Sequence, residues 1–343
     1  MGKTQTETFR GYGKLFGFGT QTAVECRFPE AETVLSAHAS THLAGAEAEN
    51  GEVRYYGRTL FSIVYEDADR HICRAEKGVE FSAVAKDERI VPAQTVRIRL
   101  AVENVSARRE GASIFVTALL GADVALYGEQ TFDYLAGGDL VCRRDPVSVY
   151  VSHPAEGATE VEDDFEVERI GDILQHAETV HVTSVSCTAG ELKVEGETFL
   201  GILAMRGEEP CSFERLIPFR IDIPSEASQP GCRAEVHVTV PDVSLAADAD
   251  EETGKCRIRA TLTLRAQGVI CEEVAVDGVT DAFSRTHAVR LTYSESGSDG
   301  TGETVQFSER VSGKAALSAA IDFSDTLQAV TLQRAEANLV RGE

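Results

Sequence analysis

The chain has 343 residues, 43% of them hydrophobic and 26% charged, a globular composition that excludes wholesale disorder. Its 56 acidic and 33 basic residues leave a net charge of −23, which repels phosphate backbones and anionic lipid surfaces and excludes nucleic acid as an expected partner. The longest apolar-looking stretch, 113–128, is interrupted by Asp123 and is too short to span a bilayer as a helix, so no membrane insertion is expected.

Residues 1–20 alternate glycine with aromatics and read as an N-terminal arm, either flexible or an edge strand. The glycines do not fit G-x-G-x-x-G, because position 16 is Phe. The opening MGKTQTETFR lacks the apolar core of a secretory signal, which points to a cytoplasmic location. The arm either adds as a strand to a neighbouring copy or folds back on its own domain. A first β repeat domain follows over 21–135, where VRIRLAVENVS (96–106) and SIFVTALL (113–120) place apolar residues at every second position, as a half-buried strand requires. Residues 136–164, with paired glycines, Pro146, Pro154 and an acidic run, read as a linker. The second β repeat domain spans 165–284, and 285–343 is a C-terminal β extension or a partial further repeat. Helical signal is confined to 167–178 and 312–321, the latter equally suited to an edge strand.

The two domains are copies at a spacing of about 140 residues. RYYGRTLFSIV (54–64) corresponds to VEGETFLGILA (194–204), so that Gly57 matches Gly196 and Ile63 matches Ile202. Cys73 then matches Cys211, Phe81 matches Phe219, and AETV at 31–34 is set against AETV at 177–180. The predicted fold is all-β: two β-sandwich-like domains in tandem.

No residue pattern specifies chemistry. His38 and His42 have helical metal-pair spacing, but VLSAHASTHL reads as a strand, where four residues span roughly 13 Å and cannot share an ion. DADEE (248–252) lacks the spacing and distal Glu of an EF-hand, and Asp163 with Asp164 has no partner group to make an acid and base dyad. Eight cysteines without C-x-x-C lack the usual zinc signature and read as reduced thiols. No catalytic, cofactor-binding or metal-ligating residue is assigned, and an enzyme is not expected.

AETVHVTSVSCTAGELKVEGETFLGILAM, then LIPFRIDIP, AEVHVTVPDVSL, CRIRATLTLRAQGV and VDGVTDAFS, resembles the SPOCS domain, a module of sporulation proteins in endospore-forming clostridia and bacilli. The points that carry it are Gly196, Pro218 with Phe219, Asp242 with Val243, and DAFS at 281–284; the first copy departs at Glu80, where the second has Pro. The resemblance covers about residues 24–283 without a LysM-like segment, so coat anchoring through such a domain is not carried over. It implies a non-catalytic structural or assembly protein of a spore envelope or surface layer, in the mother cell or on the spore, with self-association or other envelope proteins as partners. The alternative is a ligand-binding module for a glycan or peptide.

Overall fold

The alternating pattern builds twelve strands, and no helix, among the described residues of the computed structural model: 4–29, 33–111, 113–138, 140–250, 252–284 and 289–292. The first six are β1 (Thr4–Pro29), β2 (Thr33–Glu49), β3 (Glu52–Glu66), β4 (Ile72–Lys86), β5 (Thr95–Glu110) and β6 (Ser113–Gly138). The next six are β7 (Val141–Glu168), β8 (Ile173–Thr188), β9 (Glu191–Arg206), β10 (Glu209–Pro224), β11 (Arg233–Asp250) and β12 (Lys255–Phe283). No helix among these residues is long and apolar enough to cross a membrane.

The strands form four antiparallel three-stranded sheets, ordered β2-β3-β4, β1-β6-β5, β8-β9-β10 and β11-β12-β7. Each half of the chain stacks two of them. In the first sandwich Phe61 and Ile63 of β3 meet Ile114, Val116 and Leu120 of β6, with Val24, Cys26 and Phe28 of β1 closing the layer. In the second, Leu200 and Ile202 of β9 meet Ile258, Ala260 and Leu262 of β12. These side chains are almost wholly removed from water, and such burial is the main stabilising term of each sandwich.

Both segments that sequence set outside the repeat are its first strands. The glycine and aromatic arm is the leading half of β1, paired with β6 from Thr4 opposite Gly138 to Pro29 opposite Ser113. The segment 136–164, read as a linker, lies almost entirely in β7, which pairs with β12 from Glu168 opposite Lys255 to Val141 opposite Phe283. Composition misled here because EVEDDFEVE is itself an alternation. Val161, Phe165 and Val167 pack on the core, while Glu166 faces Lys255 at 2.8 Å and Asp164 faces Arg257 at 2.8 Å. The stretch 167–178 is not helical: it is the end of β7, a short connection and the start of β8. The AETV match is out of register, because Thr41 opposite Thr59 corresponds to Val180 opposite Thr198, which sets Val34 against Ile173 instead. The second helical candidate, 312–321, and the C-terminal extension lie outside the described residues, apart from 289–292, which form no strand.

The copies agree down to single hydrogen bonds. The β2–β3 and β8–β9 turns end on Gly51 (φ 76°) and Gly190 (φ 81°), a left-handed conformation that glycine adopts without side-chain strain. Gly51 N–H donates to Ile90 O at 3.0 Å and its carbonyl accepts from Asp87 N–H at 3.1 Å. In the second copy Gly190 N–H donates to Ser228 O at 2.8 Å and its carbonyl accepts from Ser225 N–H at 3.0 Å.

One difference between the copies has an energetic consequence. Thr59 shares a 3.2 Å hydroxyl–hydroxyl hydrogen bond with Thr41, whereas the fully buried Thr198 faces Val180 and its Oγ1 has no partner among the described residues. A buried hydroxyl without a hydrogen bond costs about 1–3 kcal/mol, so Thr198→Val is expected to raise stability by about 1 kcal/mol. Thr59→Val, which removes a made bond, is expected to lower it by about 1 kcal/mol. Urea midpoints of the two variants test this, and a lower midpoint for Thr198→Val would show that its hydroxyl is satisfied.

Candidate functional site

The outer faces of sheets β1-β6-β5 and β11-β12-β7 enclose a cleft of about 620 Å³ between the two sandwiches. Strand alternation decides which side chains reach it. Ile98 and Val124 belong to the core, so their neighbours Arg97, Arg99 and Asp123 point outward. On β1, Phe16 and Phe18 pack against the same core while Gly17 and Gly19 line the cleft. From Phe16 onward the glycine and aromatic alternation is thus a strand with an apolar inner face and a bare outer one; before the bulge between Lys14 and Phe16 the phase reverses, and Lys14 reaches the cleft. The opposite wall carries Ser152 of β7, Glu235 and His237 of β11, and Gln267 and Cys271 of β12.

Lys14, Arg97, Arg99 and His237 gather at this cleft in a chain of strongly acidic balance. Arg99 pairs with Glu235 at 2.7 Å across the cleft; both side chains are more than half exposed, so the pair adds little to stability. Arg97 is more enclosed, and burial pushes its guanidinium below the ordinary arginine value despite the nearby Tyr127 hydroxyl and Glu156. Among the described residues its single hydrogen bond is a long one, 3.5 Å, from Nη2 to Ala155 O. Glu156, the nearby carboxylate, accepts instead from Arg265 at 3.2 Å and Gln267 at 3.4 Å. Burial, and then the charge of Arg99, lowers the pKa of His237 and favours the neutral imidazole. Burial likewise raises that of the Cys271 thiol, which disfavours the reactive thiolate.

A second polar seam joins the sandwiches. Ser36 donates to Gln175 Oε1 at 2.9 Å, and Gln175 Nε2 donates to Ser62 Oγ at 3.1 Å, so the buried Gln175 uses both ends of its amide across the junction. His38 sits beside His176 and Glu178 of the other sandwich, and burial lowers its pKa. Burial also lowers the pKa of His42, whose charged neighbours are Arg58, Asp242 and Arg265. The two histidines of HASTH lie in strand β2 and face different groups, and no cluster of three or more metal-ligating side chains occurs among the described residues.

The remaining motifs have structural duties. Asp250 caps the β11–β12 turn by accepting from Glu252 N–H at 2.9 Å and Thr253 N–H at 3.3 Å. Asp163 pairs with Arg215 of β10, and Asp164 with Arg257 and Arg259. No cysteine forms a disulfide among the described residues, and Cys26, Cys211 and Cys256 lie in the cores. Sequence reasoning missed Arg97, Arg99 and His237 because they are ordinary outward residues of alternating strands. They come together only where two sheets meet. Comparison with protein-family models, with curated proteins and with solved structures finds no match to this chain.

Proposed function

We propose that the protein is a non-catalytic structural or assembly protein, a scaffold or subunit of a spore envelope or surface layer that associates through sheet edges. The observation that carries this reading is a pair of two-stranded ribbons extending past the three-stranded sheets. Residues 4–13 of β1 pair with 128–138 of β6 beyond the point where β5 begins, and 141–151 of β7 pair with 272–283 of β12 beyond the start of β11. Among the described residues, each of these segments of β6 and β12 is hydrogen-bonded along one edge only, which offers a row of backbone donors and acceptors to an added strand. Val141, Val147 and Phe283 are about half exposed on the second ribbon, at 48%, 48% and 56%. On the first, Phe9 stacks on Phe132 at 5.1 Å and Phe132 lies 6.4 Å from Tyr134.

The two ribbons differ as docking edges. Pro146 lies in the ribbon segment of β7, and a proline blunts the outer edge of that strand because it lacks the N–H that a partner strand needs; the β12 segment contains none. In the first ribbon neither the β1 nor the β6 segment contains one, so both of its edges are free of proline. Strand addition is therefore assigned to the first ribbon, and the envelope setting to the resemblance carried by Gly196, Pro218, Phe219 and Asp242. Sedimentation velocity of the full chain at micromolar concentration is expected to show oligomers that dissociate on dilution and are lost when residues 4–14 are deleted. A full-length monomer throughout that range, or oligomers unchanged by the deletion, overturns the reading.

A further inference from the structure

We propose that the cleft between the two sandwiches is a binding site for a small oxyanion, a carboxylate or phosphate group, received by the guanidinium of Arg97 in a cleft that Lys14 and His237 also line. The volume of about 620 Å³ falls in the range of small-molecule sites, which also favour junctions between domains. The cleft sets Lys14, Arg97 and Arg99 against two acids, Asp123 and Glu235. Arg99 is matched by Glu235 at 2.7 Å and stands opposite Asp123 in the β5–β6 register, and Glu156 is taken by Arg265 and Gln267, so among the described residues no acid hydrogen-bonds Arg97.

What remains at Arg97 is a planar fork of N–H donors with one long bond to the Ala155 carbonyl. Guanidinium geometry matches a carboxylate or phosphate with two parallel hydrogen bonds, and such charge-assisted pairs strengthen as water is excluded. The depressed Arg97 pKa agrees with a charge whose burial is incompletely compensated. Gly19 leaves part of one wall bare, since a Cβ there would still lie 3.8 Å from its nearest neighbour, Asp123 Oδ1, whereas the Lys14 side chain lies over Gly17. The site needs both sandwiches, because Arg97 and Lys14 come from one and His237, Ser152 and Gln267 from the other.

The test titrates the full chain calorimetrically with inorganic phosphate and, separately, with glucuronate, using glucose as the neutral control. At least one anion is expected to bind saturably with a dissociation constant below about 10 mM, and glucose is not. Arg97→Gln is expected to weaken binding by about tenfold or more, while Arg54→Gln, an exposed ion-paired residue on β3, leaves it unchanged. The titration that responds tells a phosphate ligand from a sugar acid. A second readout needs no variant: a saturating anion is expected to slow maleimide labelling of Cys271, which lines the cleft, at mildly alkaline pH, without slowing that of Cys73. Absence of saturable binding by both anions, binding that survives Arg97→Gln, or unprotected Cys271 overturns the proposal. If Arg97→Gln does not fold, the labelling result on the native chain decides.

Discussion

Gly196→Ala is expected to destabilise the second sandwich by about 2–3 kcal/mol, and Gly57→Ala the first by a similar amount, because in each case the added methyl meets backbone. Gly57 on β3 stands between Leu43 and Phe81, and Gly196 on β9 stands between Val182 and Phe219. A Cβ at Gly196 would collide with the carbonyl oxygen of His181 and lie 2.5 Å from Cζ of Phe219. At Gly57 the same atom would collide with the carbonyl of His42 and sit 3.0 Å from the Phe81 ring. Both carbonyls immediately precede a bulge, at Leu43/Gly45 in β2 and Val182/Ser184 in β8. The phenylalanine lying over each glycine replaces the side-chain cover that the glycine lacks. An aromatic ring can swing aside, but a bulged carbonyl in a paired strand cannot without losing ladder hydrogen bonds. Gly19→Ala, with nothing closer than 3.8 Å, is the control and is expected to change stability by less than about 0.5 kcal/mol. Equal urea midpoints for Gly196→Ala and Gly19→Ala would show that the close approach is not made.

Phe61→Ala carries the largest single cost, about 3–5 kcal/mol, since the side chain is fully buried and its removal leaves a cavity that the surrounding strands close only partly. Its neighbours in the core include Ile63 on the same strand and Ile114, Val116 and Leu120 on β6. The equivalent residue of the second copy is Leu200, also fully buried, and Leu200→Ala is expected to cost about 2–5 kcal/mol. Phe61→Leu, which keeps most of the volume, is expected to cost under about 1.5 kcal/mol. Denaturant unfolding of Phe61→Ala beside Phe61→Leu checks this. A difference below about 1 kcal/mol would mean that the first core is not packed around the ring.

Much of the architecture was legible because β-structure writes itself locally. Val96, Ile98 and Leu100 alternate with arginines, and Ile258, Ala260 and Leu262 alternate with polar residues, so each declares its strand without reference to any partner. Copying of that pattern through the chain identified the repeat. Its first strands were missed. In β1 the outer positions after Phe16 are glycines, and in β7 they are carboxylates, so composition suggested an arm and a linker where the spacing of Phe16 and Phe18, or of Val161, Phe165 and Val167, was already that of a strand. Register slipped too, because an identical AETV outweighed the glycine pairing, whose register differs from it by seven residues.

The chain by itself determined the all-β class, the duplication and the matched positions Gly57 with Gly196 and Phe81 with Phe219, since all of these depend on residues near in sequence or repeated at fixed spacing. Only the tertiary structure decided that β1 closes onto β6 and β7 onto β12, pairings that join strands more than 80 residues apart at their nearest ends. It alone decided the cleft. Arg97, Lys14 and His237 belong to three strands and two sandwiches, and their outward positions look like any solvated face until the second sheet is laid against the first. Side-chain alternation specifies which face of a sheet is apolar; it carries no information about what the polar face will meet.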